Sequence, residues 1–301
     1  MHVLVHESVA PVFDPALLVE FLTSEGVTAT TGALDDCDGV VAFDHDEALF
    51  DVPWVHAITA GYDDYPVERY REAGVTFTNS TGIHGASVGE SVAGHCLTFA
   101  RRLHRYRDRQ HDRVWEHEPY DRAFTLRDER ACVVGLGTLG QGVAVRLDAL
   151  GMDVVGVRRT PALVPGVSEV FTPDALAEAV ADARFVVLTV PLTEATTGLV
   201  DAAVLDAMRE DAYLVNVARG EVVEQDALVA ALDEGAIAGA ALDALDPEPL
   251  PEESPLWGFE EVLVTPHCAA LTNDYHEAVG ALVATNARRI EQGDAPVNRV
   301  V

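Results

Sequence analysis

An α/β protein with doubly wound parallel sheets, helices covering both faces, is the fold class this sequence predicts. Three observations carry that prediction. Residues 131–159 run as an apolar strand, the loop Gly135-Leu-Gly137-Thr138-Leu139-Gly140, an amphipathic helix and a second apolar strand. Short apolar runs alternate with helical or polar stretches on both sides of that segment, as in a parallel sheet joined by crossover helices. The 301 residues suffice for two domains, each with its own core.

Taken in order, Val3 to Val5 opens as a strand, and Asp14 caps a helical run through Phe21 and Leu22 that Gly26 ends. Val27 to Thr30, Gly39 to Phe43, Trp54 to Thr59 and Val75 to Thr78 are the next strand candidates. Two loops follow the last two of these, Thr59-Ala60-Gly61-Tyr62-Asp63 and Asn79-Ser80-Thr81-Gly82-Ile83-His84-Gly85. They sit at carboxyl ends of strands, where open α/β sheets place ligands, although ordinary turns read the same way. Ser87 to Arg105 predicts one long helix leading into a basic run, Arg101 to Arg109. That run suits a solvated helical face, a subunit interface or an interdomain link. Beyond it come the strand at 131–134, a helix with Val143, Leu147 and Leu150 on one face, and the strand Met152 to Val157. Thr172-Pro173-Asp174 starts a helix, with proline where its missing N–H costs little. Phe185 to Val190, Tyr213 to Ala218, Ala238 to Leu245 and Val262 to Thr265 are strands. Helices are expected at Asp201 to Met208, Gln225 to Glu234 and Asn273 to Gln292.

A glycine loop between a strand and a helix is the context that gives G-x-G-x-x-G its meaning. Gly135 allows the tight turn, Gly137 lets the backbone approach a pyrophosphate, and Gly140 lets the helix pack close to the strand. The free N–H groups at the helix start would meet the phosphate charge. A ligand-free turn is the plain alternative. Sites that prefer NAD usually carry Asp or Glu at the end of the second strand. Here stand Arg158, Arg159 and Thr160, which suit the 2′-phosphate of NADP through charge-assisted bonds. NADP(H) preference is therefore expected, with NAD(H) still usable; two surface arginines without a ligand are the alternative.

The formal net charge is −30, and all twenty basic residues are arginine. Such a surface repels itself in dilute salt, and molar salt, with a screening length of about 3 Å, removes much of that repulsion. Salt-dependent stability is expected, as in proteins of salt-accumulating cells. The same charge argues against nucleic-acid binding. No run approaches a membrane span and no signal-like segment opens the chain, so a soluble cytoplasmic protein is expected. Cys37, Cys96, Cys132 and Cys268 form no C-x-x-C pair and fit reduced thiols. No metal site is expected.

Three polar residues follow strand ends in the second half: Arg219 in NVARG, Glu248 in LDPEP and His267 in TPH. Arg219 has the planar fork that binds a carboxylate. His267 has the near-neutral titration of an acid–base group, and Glu248 would orient the imidazole and favour its charged form. Each alone also reads as structural. In the ordered combination GLGTLG, VPLTEATTGL (190–199), NVARGEVV (216–223), ALDALDPEP (241–249) and TPHCA (265–269), the chain resembles the D-isomer-specific 2-hydroxyacid dehydrogenases over nearly its whole length.

The resemblance implies a flavodoxin-like substrate domain (1–98 and 275–301), a Rossmann cofactor domain (99–274) and a cleft between them. It implies reversible reduction of a small 2-keto acid to a D-2-hydroxy acid, and a homodimer. By the same resemblance Arg219, Glu248 and His267 are the catalytic triad, and Ala60, Gly61 and Tyr62, with Arg219 and His267, hold the substrate. Val190, Pro191, Thr196, Val217 and Ala218 line the cofactor, and Asp243 holds the nicotinamide carboxamide. Arg158 departs from the Asp that many members carry, which puts NAD preference in doubt. A formate- or phosphite-type dehydrogenase of the same superfold, and a nucleotide-sensing protein without turnover, are the rival readings.

Overall fold

The computed structural model describes residues 1–34 and 36–301, which form two compact units, Met1–His84 with Leu271–Val301, and Gly85–Ala270. The first unit contains β1 (His2–Val5), α1 (Pro15–Ser24), β2 (Thr28–Thr31), β3 (Gly39–Ala42), β4 (Trp54–Ala57), α2 (Val67–Ala73) and β5 (Thr76–Asn79). The strands form one parallel sheet in the order β2-β1-β3-β4-β5. Its apolar runs are unbroken because both faces are covered: Val3 and Val5 enter one core, and Leu4 between them enters the other. The Asp14 carboxylate accepts from Ala16 N–H and starts α1, with Pro15 at the first turn. The C-terminal helix, Tyr275–Glu291, adds Val279 and Val283 to the core that holds Leu18 and Leu22.

The second unit contains α3 (Gly85–Ala100), α4 (Leu103–Asp112), β6 (Arg130–Val134), α5 (Thr138–Ala149), β7 (Asp153–Val157), β8 (Glu169–Phe171), α6 (Leu176–Ala181), β9 (Phe185–Leu188), α7 (Ala202–Ala207), β10 (Tyr213–Asn216), α8 (Gln225–Asp233), β11 (Gly239–Leu242) and β12 (Val262–Val264). The sheet order is β12-β11-β10-β9-β6-β7-β8, all parallel. The chain winds outward through β6, β7 and β8, then returns to continue on the other side of β6. The topological switch point therefore lies between β6 and β9. Alternation again feeds two cores: Cys132 and Val134 enter one, Ala131 and Val133 the other.

The expected long helix at 87–105 is two helices. Arg102 takes a left-handed conformation (φ 57°) between α3 and α4. Its guanidinium makes paired bonds to Glu261 at 2.6 and 2.8 Å, and His104 Nε2 lies 2.8 Å from the same carboxylate. Arg105 pairs with Glu260 and Arg109 with Glu118. Much of the basic run is thus spent on ion pairs within its own unit. Leu150, expected on the buried face of α5, lies past its end and is exposed. A 3-10 turn, Pro173–Ala175, precedes α6 where a single helix start was expected. Several strands end two or three residues before their apolar runs do, at Ala57, Leu188, Asn216 and Leu242. Among the described residues no helix is long and apolar enough to cross a membrane.

Candidate active site

The loop after β6 sits at the switch point. Gly135 has φ +98°, which a side chain rarely allows. Thr189, just past β9, donates from Oγ1 to the Gly135 carbonyl at 2.5 Å and closes the loop from the neighbouring strand. A β-carbon on Gly140 would lie 1.8 Å from the Gly135 carbonyl oxygen, so α5 can start this close to the loop only with glycine there. Gly137 caps α5 with no side-chain bond to the first turn, and a β-carbon on it would meet nothing within 4 Å. The first turn of α5 thus has no side-chain cap, and Gly137 and Thr138 are exposed at the positive end of the helix. That cradle fits a pyrophosphate.

Arg158 follows β7 directly, its backbone N–H bound to Phe171 O at 3.0 Å. Its side chain is partly exposed, and Arg159 and Thr160 are exposed. Among the described residues neither Arg158 nor Arg159 makes an ion pair, in a chain whose charged residues are mostly acidic. Val190 and Pro191 follow β9; Thr196 turns back on them, with Oγ1 donating to Pro191 O at 2.6 Å. Val217 and Ala218 follow β10 and are buried. Asn216 fixes that turn, accepting from Ala218 N–H at 3.1 Å and donating to Arg219 O at 2.9 Å and Ala244 O at 3.2 Å.

Arg219, Glu248 and His267 lie on loops from the carboxyl ends of β10, β11 and β12, which are consecutive in the sheet. Arg219 donates to Ala218 O at 2.9 Å. Gly220 brings the two loops together: a β-carbon on it would lie 2.0 Å from the carbonyl carbon of Leu245. Leu245 N–H in turn donates to Glu248 Oε1 at 2.9 Å. His267 Nδ1 lies 2.9 Å from Glu248 Oε2 and 3.2 Å from Oε1. An ionised carboxylate only accepts, so Nδ1 carries hydrogen, and Nε2 is the nitrogen left to exchange a proton. Both side chains are about four-tenths exposed, within reach of a ligand from solvent.

Asp243 is buried, and its carboxylate accepts from Thr265 Oγ1 at 2.6 Å, Cys268 N–H at 2.9 Å and Ala269 N–H at 2.9 Å. Sequence reading passed over Asn216, Thr265 and Ser91, whose Oγ donates to Ala269 O at 3.0 Å. Asn216 and Thr265 stand inside the motifs NVARG and TPH, and polar residues at the end of apolar strands were the available signal.

Ala60, Gly61 and Tyr62 belong to the first unit. Their loop follows β4 and is held by Thr59 Oγ1 on Gly61 O and Asn79 Nδ2 on Ala60 O, each at 2.7 Å. Asn79, which begins a glycosylation-like triplet, is buried in that role. Tyr62 is exposed, its ring edge-on to Phe77 at 6.5 Å. His84 Nε2 lies 2.8 Å from Tyr275 Oη, and burial pushes its imidazole down to about 4, leaving it neutral at pH 7.

Residues 93–269 match the family D-isomer specific 2-hydroxyacid dehydrogenase, NAD binding domain. A glyoxylate reductase of Korarchaeum cryptofilum (strain OPF8) is 31% identical over 278 residues, covering 88% of this chain and 83% of that protein. A D-isomer specific 2-hydroxyacid dehydrogenase from Xanthobacter autotrophicus Py2, solved with NADPH and MES, superposes with a TM-score of 0.85 at 31% identity over 99% of this chain and 98% of the other. An NADPH-dependent glyoxylate/hydroxypyruvate reductase from Sinorhizobium meliloti, solved with NADP and sulfate, gives 0.83 at 25% identity over the same shares. With the cradle after β6 and the Arg, Glu and His loops at the same end of one sheet, these likenesses agree: the chain belongs to the D-isomer specific 2-hydroxyacid dehydrogenase family and is an NAD(P)-dependent oxidoreductase.

Proposed function

We propose that the chain reduces a small 2-keto acid of the glyoxylate and hydroxypyruvate class to the D-2-hydroxy acid, reversibly, with NADPH preferred over NADH. The observation that carries this reading is the His267–Glu248 pair at 2.9 Å, beside the loop that holds Arg219. When bound, the nicotinamide cofactor supplies the hydride. His267 holds the proton at Nε2 and delivers it to the oxygen of the keto group as negative charge builds there. Glu248 fixes the ring through Nδ1. Arg219 grips the substrate carboxylate and draws on the keto oxygen, stabilising charge as it forms. Within the first unit, Ala60, Gly61 and Tyr62 are the residues we assign to substrate binding. Thr138, Leu139 and Gly140 hold the pyrophosphate, and Val190, Pro191, Thr196, Val217, Ala218 and Asp243 line the rest of the cofactor site.

The NADPH preference rests on Arg158 and Arg159, which carry no carboxylate partner among the described residues and stand where a 2′-phosphate would bind. A homodimer is supported by α4 and the segment after it, where Trp115 and Tyr120 are almost fully exposed and Leu103 and Val114 are also exposed; a second copy of the chain is the occupant we assign. The charge of −30 without lysine supports a protein that works in concentrated salt, in a cytoplasm that keeps its four cysteines as thiols. Initial rates with a panel of 2-keto acids in molar KCl, NADPH and NADH side by side, test the reading. Faster turnover with NADPH is expected. No turnover of any keto acid would overturn the reaction, and faster turnover with NADH would overturn the cofactor preference alone.

A further inference from the structure

The geometry points to Thr265 and Ser91 as positioning residues that hold His267 in its working conformation, a role that rests on reading His267 as the proton donor. His267 has φ +49°, in the left-handed region. A non-glycine residue there is strained and persists only where its surroundings enforce it. The enforcement is visible. The His267 N–H donates to Asp243 O at 2.9 Å and to Thr265 O at 3.0 Å. The next two N–H groups, of Cys268 and Ala269, converge on the two oxygens of the Asp243 carboxylate. Successive N–H groups around a left-handed residue make an anion-binding concavity, and here the anion is supplied by the chain itself.

Thr265 completes that arrangement from the near side. Its hydroxyl, 2.6 Å from Asp243 Oδ1, makes the shortest of these three bonds to the carboxylate. Ser91 acts from the far side, tying Ala269 O to α3 at 3.0 Å. The loop 265–269 is therefore gripped at both ends, by a buried aspartate after β11 and by a helix. His267 stands between the two grips with Nδ1 on Glu248. Neither hydroxyl is placed on substrate or cofactor. Both act through the backbone that carries the imidazole.

The test compares Thr265→Val, Thr265→Ser and Ser91→Ala, with His267→Asn as reference. It reads kcat, KM for the keto acid, KM for NADPH and melting temperature. Thr265→Val keeps the shape and removes the donor. It is expected to lower kcat about tenfold or more, against a ceiling of about a hundredfold for a 1 Å misplacement, while both KM values move by less than about threefold. Thr265→Ser, which keeps the hydroxyl, is expected to recover most of the rate. Ser91→Ala is expected to lower kcat by a smaller factor with the same unchanged KM values. It carries the test by itself if Thr265→Val does not fold. Thr265→Val at the wild-type kcat overturns the proposal, as does Thr265→Ser no faster than Thr265→Val. A rise in KM for NADPH that accounts for the loss also overturns it, because the hydroxyl would then serve the cofactor. His267→Asn retaining the wild-type rate removes the proton-donor assignment itself. His267→Asn inactive beside a fully active Thr265→Val removes only the positioning role.

Discussion

Replacing Gly220 by alanine tests how the Arg219 and Glu248 loops depend on each other. A β-carbon at Gly220 would lie 2.0 Å from the Leu245 carbonyl carbon, 2.1 Å from its oxygen and 2.4 Å from Asp246 N. All three are backbone atoms, which cannot swing aside as a side chain would. Ordinary contact begins at 3.4 Å, so the 245–246 peptide and the Arg219-Gly220 turn must part by about 1.4 Å. Leu245 N–H holds Glu248 Oε1, and Glu248 holds His267 Nδ1, so the displacement reaches the imidazole through two hydrogen bonds. A misplacement near 1 Å costs up to about a hundredfold in rate, or about 2.7 kcal/mol. Gly220→Ala is therefore expected to lower kcat about a hundredfold, with about 1–3 kcal/mol of stability lost to overpacking. NADPH binding, followed by fluorescence, should survive, because the glycine loop belongs to β6 and α5. Gly94→Ala is the control: it lies in α3, its β-carbon would meet nothing within 4 Å, and its activity should be that of the wild type. A Gly220→Ala enzyme within about threefold of the wild-type kcat would refute this coupling of the two loops.

Arg158→Ala with Arg159→Ala is expected to raise KM for NADPH about ten- to a hundredfold, the loss of one or two charged hydrogen bonds, and to leave KM for NADH within about twofold; equal changes for both cofactors would sink the phosphate reading. Burial opposes ionisation of Glu261, but hydrogen bonds from His104 and Arg102 and the Arg102 charge outweigh it and hold the carboxyl at about 2, against 4.5 for the free group. The stability it contributes is then complete above pH 4.5 and is lost as pH falls towards about 2. The difference in urea stability between wild type and Glu261→Gln should be constant above pH 5 and shrink below pH 4.5, and a difference that stays flat down to pH 3 would contradict it. The melting temperature should rise between dilute buffer and molar KCl, and a melting temperature that salt leaves unmoved would remove the case for salt adaptation.

What was legible in the sequence was local. The strand, glycine loop and helix at 131–149 needed only neighbours in the chain to declare themselves, and the loop stands at the switch point that the fold class requires. The break between α3 and α4 was not legible, because it is enforced from afar: Arg102 takes its left-handed conformation while paired with Glu261, 159 residues away. Nor did the apolar runs reveal where strands stop. Thr189, Val217, Ala218, Asp243 and Ala244 lie past the strand ends yet are as buried as strand residues, so hydropathy continues through them. Those overruns are where the candidate site is built. Asp243 shows the consequence. Its sequence context reads as a strand residue, whereas it lies past the end of β11 and its carboxylate accepts three hydrogen bonds from the loop that carries His267.

The absence of lysine acquires a structural meaning at the same places. Net negative charge is a property of the surface, and screening weakens exposed pairs such as Arg69–Glu47, both of whose side chains are more than half exposed. Pairs withdrawn from solvent are screened far less. Arg102, one-tenth exposed, uses two nitrogens of its fork on Glu261 and brings a second carboxylate, Glu118, to 3.5 Å. A lysine ammonium offers a point charge in place of that planar pair of donors. Arginine thus supplies here a cation that fixes geometry through paired bonds. The bond it fixes here ties the α3–α4 turn to Glu261, at the entrance to the strand whose far end bears His267.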